Sequence, residues 1–535
     1  MTGKRRITML KESVMKIETF LNSRYHNIRV SDLTVYAMVL IYFVIFSIFS
    51  VARHFTFGTH AFDLGIYSQA LYTTLFNGKF LYETPDLYFT KSGSFFGVHF
   101  TPIIFTSLPF YYVYPRPETL LVFQSAVLAL AAVPLYFLAR FLVRDDNVIP
   151  VGLAALYLLN PYIHSVNTFD FHMELFIPLF SMLALYFLET KKWKRFITFS
   201  ILLAITMDVV IIITFFIGIY AVLRYRTQFI NLLKGKNILK EEKNAIASSF
   251  FILVSSVLLL FLAILTISYF GPPPLSSTGI GLFSKLGQNY SDILINIVKE
   301  PGRIIDSANY DGIYKLTYLT SLFLPTFFLA FYSPRELILC VPWISIVILT
   351  TCNTLYQPNY QFGAFIVPFI LYATIHSLRK LEAKNLGKLV FFKKIGTPLT
   401  ATLITMISLS PLSPIPYLFS NSAAYSGYPI QTRHTDLLSY AVSLIPDNAS
   451  VLAQNHIFPH LSNRANVYVW VPSGVTVDYA IADKKQHDYY TAHAFAETFN
   501  QQFESLLNSG NYEILLGKRD EFEDEGIIVL KRKAA

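Results

Sequence analysis

Three stretches of the chain set carboxylates among imidazoles or deep in apolar surroundings. They are Ala61-Phe62-Asp63-Leu64-Gly65-Ile66, Phe169-Asp170-Phe171-His172-Met173-Glu174, and Asp208 between Ala204-Ile205-Thr206-Met207 and Val209–Ile213. Carboxylates and histidines are the groups that move protons in catalysis, and their oxygen and imidazole donors also suit a divalent ion such as Mn²⁺ or Mg²⁺. Asp63 opens a segment with Leu64, Tyr67, Ala70, Leu71 and Leu75 at helical spacing. It reads either as the N-cap of an interfacial helix or as a carboxylate at the water–lipid boundary that takes a proton from a hydroxyl.

Asp170, His172 and Glu174 alternate, so an extended backbone would send all three to one side. Asp63, Asp170 and His172 then form a candidate metal set. The bland alternative is a helix start capped by Asp170, with Glu174 near the positive end of its dipole. His99, in Gly97-Val98-His99-Phe100-Thr101-Pro102, and Asp208 are further candidates. An ionisable group in so apolar a stretch as that around Asp208 is functional by default or else caps a helix. Farther on, Gln454-Asn455-His456-Ile457-Phe458-Pro459-His460-Leu461-Ser462-Asn463-Arg464 follows an expected strand. His456, His460 and Arg464 could line a sugar or phosphate site, or solvate a loop.

These groups must be positioned by elements that lie in a membrane. The chain has 535 residues, 53% hydrophobic and 14% charged, with 48 Phe and 34 Tyr, whereas a soluble domain carries roughly a quarter charged residues. An ordinary cytosolic enzyme is excluded, and so is a disordered chain. The net charge of +9 is read by its placement in a membrane protein and not as a nucleic-acid footprint. No Walker loop, dinucleotide fingerprint or nucleophile elbow occurs in a supporting context. Cys340 and Cys352 are too far apart along one helix to bridge.

Hydropathy predicts a mainly α, polytopic bundle of about eleven spans, near 33–51, 118–142, 148–164, 173–189, 196–207, 209–223, 245–270, 316–332, 336–351, 361–378 and 395–418. Residues 1–32 read as a basic amphipathic segment on the cytoplasmic surface. The transmembrane domain covers 33–419, with a long first outer loop, 52–117, in which Thr101–Tyr114 lies along the interface. Residues 420–535 alternate short apolar runs with helical patterns, the signature of a small extracytoplasmic α/β domain.

Phe196–Leu223 reads as two short helices meeting at Asp208. That threading puts 26 of the 43 Lys and Arg on the cytoplasmic side, as the positive-inside rule asks. The acids and histidines near span ends then gather outside. The expected location is the cell membrane, N-terminus inside and C-terminal domain outside.

The ordered set Phe62–Gln69, Gly97–Pro102, Phe169–Glu174, the break at Asp208, Tyr360–Pro368, and Asn455–His460 with Ser462–Arg464 resembles a family of polytopic membrane proteins of archaea and bacteria catalogued as a domain of unknown function. That family is similar in turn to the GT-C superfamily of membrane glycosyltransferases. The resemblance implies a polyprenyl-phosphate-linked sugar donor, a lipid, glycan or protein acceptor on the outer face, and a first-loop acid, matched here by Asp63, that activates the acceptor or helps hold a metal. Asp170 matches the acidic site after the third span. Family members often carry Lys-Glu-Asp at the helix break, where this chain has Thr206-Met207-Asp208. In this reading Asp63, Asp170 and Asp208 are catalytic, His99, His172, Glu174, His456, His460 and Arg464 bind substrate, and Lys285, Lys299 and Arg303 meet the carrier phosphate. Two other classes compete: a transporter or lipid flippase, and a non-catalytic glycan-binding scaffold.

Overall fold

The computed structural model describes residues 29–88, 90, 92–143, 147–271, 280–288, 290–382, 388–413, 428–485 and 494–534. The amphipathic reading of residues 1–32 and the domain boundary at 420 lie outside the described residues, apart from 29–32.

Two long helices are apolar yet face outward over most of their surface. Val30–Phe55 exposes Leu40, Ile41 and Ile48, and Lys240–Phe270 exposes Phe251, Val254, Leu258 and Phe261. Such faces are stable only against lipid. The first helix buries its other face through Val35, Tyr42 and Phe46. Its acidic start is fixed by Asp32, which accepts from Tyr136 Oη at 2.6 Å and from Arg140 at 2.8 Å.

Among the described residues, three helices are individually long and apolar enough to cross a membrane by length and composition: Val30–Phe55, Pro117–Leu142 and Lys240–Phe270. The segment expected as one span at 148–164 is bent by 44° between Val148–Leu158 and Pro161–Thr168, because Pro161 cannot donate back into the preceding helix. Residues 316–332 also differ from a continuous span. The helix Gly312–Phe323 gives way to 3₁₀ turns at Leu324–Thr326 and Leu329–Tyr332, with Phe327 and Phe328 at positive φ between them. The expected spans at 336–351 and 361–378 both begin as 3₁₀ turns before Val341–Leu349 and Val367–Glu382.

The break at Asp208 is present. Trp193–Ala204 and Asp208–Arg224 are separate helices, and the Trp193 and Tyr225 rings meet with centroids 5.7 Å apart. The ends of the pair remote from the break therefore touch, and the two form an antiparallel hairpin with residues 205–207 at its tip. The tip is closed by the interfacial segment: Thr101 Oγ1 donates to the Thr206 carbonyl at 2.7 Å and Ile103 N–H to the Ile205 carbonyl at 3.2 Å. This supplies donors to carbonyls that a helix end leaves unpaired.

The C-terminal part is a five-stranded mixed sheet of order β2-β1-β3-β5-β4, where β1 is Val451–Ala453, β2 Val467–Tyr468, β3 Tyr479–Asp483, β4 Tyr512–Leu516 and β5 Ile527–Arg532. β1 pairs parallel with β2 and β3, while β5 runs antiparallel to β3 and β4. Strand alternation sorts β3 onto two cores. Tyr479 and Ile481 face Phe458, Phe57 and Ala61, and Ala480 and Ala482 face Phe499 and Phe503. The first core is shared with the membrane domain, so the sheet sits directly on the loop that carries Asp63.

Candidate functional site

The first-loop acid is positioned by an unusual turn. After the end of the helix Val30–Phe55, His60 caps a π-helical turn, Ala61–Gly65, which runs into the helix Ile66–Phe76. Asp63 is thus inside the turn and not its N-cap. The turn is pinned by the C-terminal domain, since Ala61 N–H donates to Asn455 Oδ1 at 2.8 Å. Gly65 is needed for the approach: a Cβ there would lie 2.7 Å from Cδ1 of the fully buried Phe458.

Asp63 Oδ1 is 2.9 Å from His172 Nε2, and both side chains are buried. The His172 ring stacks on Phe169 at 5.4 Å and meets the edge of Tyr67 at 6.2 Å. Its backbone N–H donates to Gln124 Oε1 at 3.0 Å, and Gln124 Nε2 donates to the carbonyls of Asn167 and Asp170 at 2.9 and 2.5 Å. Burial works against charge on the His172 ring, but the hydrogen bond and charge of Asp63, with Glu174 and Asp170 behind, outweigh it and raise its pKa. The arrangement is a carboxylate held by an imidazole that favours its protonated form.

Asp170 does not continue the regular alternation. Its φ is +82°, and its carboxylate is held by Arg53, by the His60 backbone N–H at 2.8 Å and by the His60 ring at 3.3 Å. Burial would raise the Asp170 pKa, but Arg53 and His60 overcome it and bring it below the ordinary value. It caps no helix, since the 3₁₀ turn Met173–Leu175 has His172 at its N-cap. Donor atoms of His60, Asp63 and Asp170 lie within 4.8 Å of one another. The alternation suggested Asp63, Asp170 and His172 as a metal set, whereas the donor atoms that lie together in the structure are those of His60, Asp63 and Asp170. His172 instead bonds a carboxylate of that set, because the positive φ of Asp170 turns its side chain toward Arg53 and His60. Two oxygens and an imidazole nitrogen, all buried, are donors that fit Mn²⁺ or Mg²⁺.

The third pair lies beside this one. His99 Nδ1 is 3.1 Å from Asp208 Oδ1, and Asp208 is in the first turn of its helix with Met207 at the cap. The His99 ring is 37% accessible. Burial opposes its charge, but Asp208 through charge and hydrogen bond, and Glu174 and Asp86 through charge, raise its pKa to about 8. Asp86 is pushed up to about 6, first by burial and then by Asp63, against the pull of His99. Each group thus feels the next. Glu174 is buried, and its Oε2 has no hydrogen-bond partner among the described residues.

The other sequence candidates have structural partners. His456 Nε2 is 3.5 Å from Asp483, which also takes His434 at 2.7 Å. His460 stacks on His54 with centroids 4.1 Å apart and packs at the same distance from Phe57. Arg464 donates to the carbonyls of Leu461, Pro446 and Ala449 at 3.0, 2.7 and 3.1 Å. These three residues hold the C-terminal domain together and onto the membrane domain. Lys285 lies over the Tyr310 ring and Arg303 pairs with Glu300 at 2.6 Å, so both are engaged locally. Arg53 and Gln124 were not singled out by the sequence. An arginine at the end of an apolar span, on the side that hydropathy threading expects outside and so against the positive-inside trend, was the signal for the first; nothing local marks the second.

No curated protein matches the sequence. Among solved structures, the oligosaccharyltransferase of Archaeoglobus fulgidus in its apo form is similar at 12% identity and a TM-score of 0.40, covering 83% of this chain and 69% of that one. The same protein in complex with zinc and sulfate gives 13% identity and a TM-score of 0.39, over 82% of this chain and 67% of that one. The family model for predicted membrane proteins termed DUF2079 matches residues 53–523, a stretch that contains every site residue described above, and the chain therefore belongs to the DUF2079 family.

Proposed function

We propose that the chain is a GT-C-like membrane glycosyltransferase that passes a sugar from a polyprenyl-phosphate carrier to a hydroxyl of a lipid, glycan or protein acceptor. The observation that carries this reading is the buried Asp63–His172 pair at 2.9 Å, into whose field Asp86, Glu174 and Asp170 also reach. Glycosyl transfer needs a positioned base for the acceptor proton, and cationic partners for the phosphate that leaves.

In the proposed step the acceptor oxygen attacks the anomeric carbon and its proton goes to Asp63. The bond from that carbon to the carrier phosphate breaks, and the electron pair leaves with the phosphate. His172 holds Asp63 in place and, protonated, adds positive charge beside the departing group. Asp170, neutralised by Arg53, braces His60 and the turn that presents Asp63. A divalent ion, when bound by His60, Asp63 and Asp170, would neutralise phosphate charge. His99 and Asp208 close the site on the side of the helix hairpin.

Purified protein in nanodiscs supplied with polyprenyl-phosphate sugars and candidate acceptors tests the reading. Removing a positioned base costs about 10²–10⁴-fold in rate, so Asp63→Asn should fall by that much while still binding the carrier. Wild type and Asp63→Asn behaving alike in every transfer assay would sink the assignment.

A further inference from the structure

The helices that start at the carboxylate–histidine site end at a second, opposite feature. Asp208–Arg224 is 17 residues long, so Arg224 lies about 24 Å along the helix axis from Asp208. Phe176–Glu189 likewise begins two residues after Glu174 and ends at Glu189, which pairs with Arg224 at 2.6 Å. At this end is a cavity of about 460 Å³ whose wall carries Arg224, Arg335, His376, Arg379 and Lys380. Its volume falls in the roughly 300–1,000 Å³ range of small-ligand sites.

The cations come from three separate elements: the end of Asp208–Arg224, the turn before Glu336–Cys340, and the last turns of Val367–Glu382. A basic loop that merely obeys the positive-inside rule would not bring them around one concavity. Beneath them are two buried carboxylates. Glu189 accepts from Arg224 and from Tyr372 Oη, both at 2.6 Å, and Glu336 takes Arg335 at 3.0 Å with Lys380 Nζ at 3.7 Å. These anchors fix the cations in place and leave an excess of positive charge. Arg379 is exposed and has no carboxylate partner among the described residues. Gln228 and the Tyr225 ring complete the wall with polar groups.

Several guanidiniums around one cavity match the oxygens of a phosphate ester, which Arg binds in a bidentate fork. The cavity is at the ends of helices of the membrane domain, where a lipid headgroup would be met, and basic pockets between spans bind such headgroups. We propose that this cavity is a binding site for a phosphate-bearing anion, on the membrane face opposite the carboxylate–histidine site. The site is independent of whether Asp63 transfers sugar.

The test uses the full chain in detergent micelles, with binding of phosphatidic acid and phosphatidylcholine read by native mass spectrometry and with inorganic pyrophosphate as competitor. Phosphatidic acid should bind at least tenfold more tightly than phosphatidylcholine. Arg379→Gln should weaken phosphatidic acid about tenfold without lowering the melting temperature, and Arg379→Lys should recover part of the loss. Displacement of the lipid by pyrophosphate would make soluble phosphates a source of the ligand; retention of the lipid would make the headgroup the source. Equal affinity for the two lipids with no pyrophosphate binding, or equal binding of the phosphate probes by wild type and Arg379→Gln, would overturn the proposal.

Discussion

Asp170 shows what a single residue imposes on the site. A non-glycine residue at φ +82° is uncommon, and Asp is among the types that tolerate it best. The conformation rotates the carboxylate out of line with His172 and Glu174 and onto Arg53. Period-two alternation suggested three side chains on one face; a backbone sign change at the first of them is invisible in that pattern. This is why the carboxylates and His172 were legible as a group while the donor set was not. His99 gives the residue-scale prediction. Its pKa is raised from 6.5 to about 8 by Asp208, against burial. The sign follows from linkage: the stabilisation is fully present below about pH 6.5 and disappears as pH rises through about 8. Melting of the wild type in micelles should therefore fall between pH 6.5 and 8 by more than that of Asp208→Asn, in which the ring loses its partner. Parallel pH profiles for the two would contradict the assigned pair.

The elements were legible where one local pattern decided them. The short apolar runs of the C-terminal part, 450–453, 467–471, 479–482, 512–516 and 526–530, all contain or overlap the observed strands, because each is a short apolar stretch in a domain of ordinary composition. The hairpin at Asp208 was legible because one charge cannot lie at the middle of a span without cost. The 3₁₀ turns before Val341–Leu349 and Val367–Glu382 were not, since hydropathy is blind to the hydrogen-bond period of an apolar run. Nor did polar density near Arg464 distinguish a binding loop from a docking one. The docking itself turns on Gly65, whose missing side chain admits Phe458. Gly65→Ala would force a methyl to within 2.7 Å of a ring that is itself fully buried. Overpacking of this kind costs about 1–3 kcal/mol. We expect the variant to melt lower and its C-terminal domain to be cut faster by protease in micelles. Unchanged melting together with unchanged cleavage would mean that the Gly65–Phe458 contact does not hold the domain in place.

At the scale of the molecule the charges fall on two faces. One carries Asp63, Asp170, Asp208 and their histidines beneath the C-terminal domain, tied on through Ala61–Asn455, Tyr111–Asn463 and Trp470–Pro85 hydrogen bonds. The other carries Lys191, Arg195, Arg224, Arg335 and Lys380, and among the described residues the buried Glu189 and Glu336 and the exposed Glu241 are drawn into their ion pairs. Basic residues near span ends are retained on the cytoplasmic side, so the second face is expected inside and the C-terminal domain outside. Lys236 and Lys518 report the two faces, since Lys236 is exposed beyond the helix that follows Arg224 and Lys518 lies in the turn after β4. In a background with Cys340 and Cys352 replaced by serine, a membrane-impermeant maleimide added to intact cells should label Lys518→Cys, whereas Lys236→Cys should react only after permeabilisation. The reverse pattern would invert the molecule in the membrane and put the carboxylate–histidine site on the cytoplasmic face, where a donor presented outside could not reach Asp63.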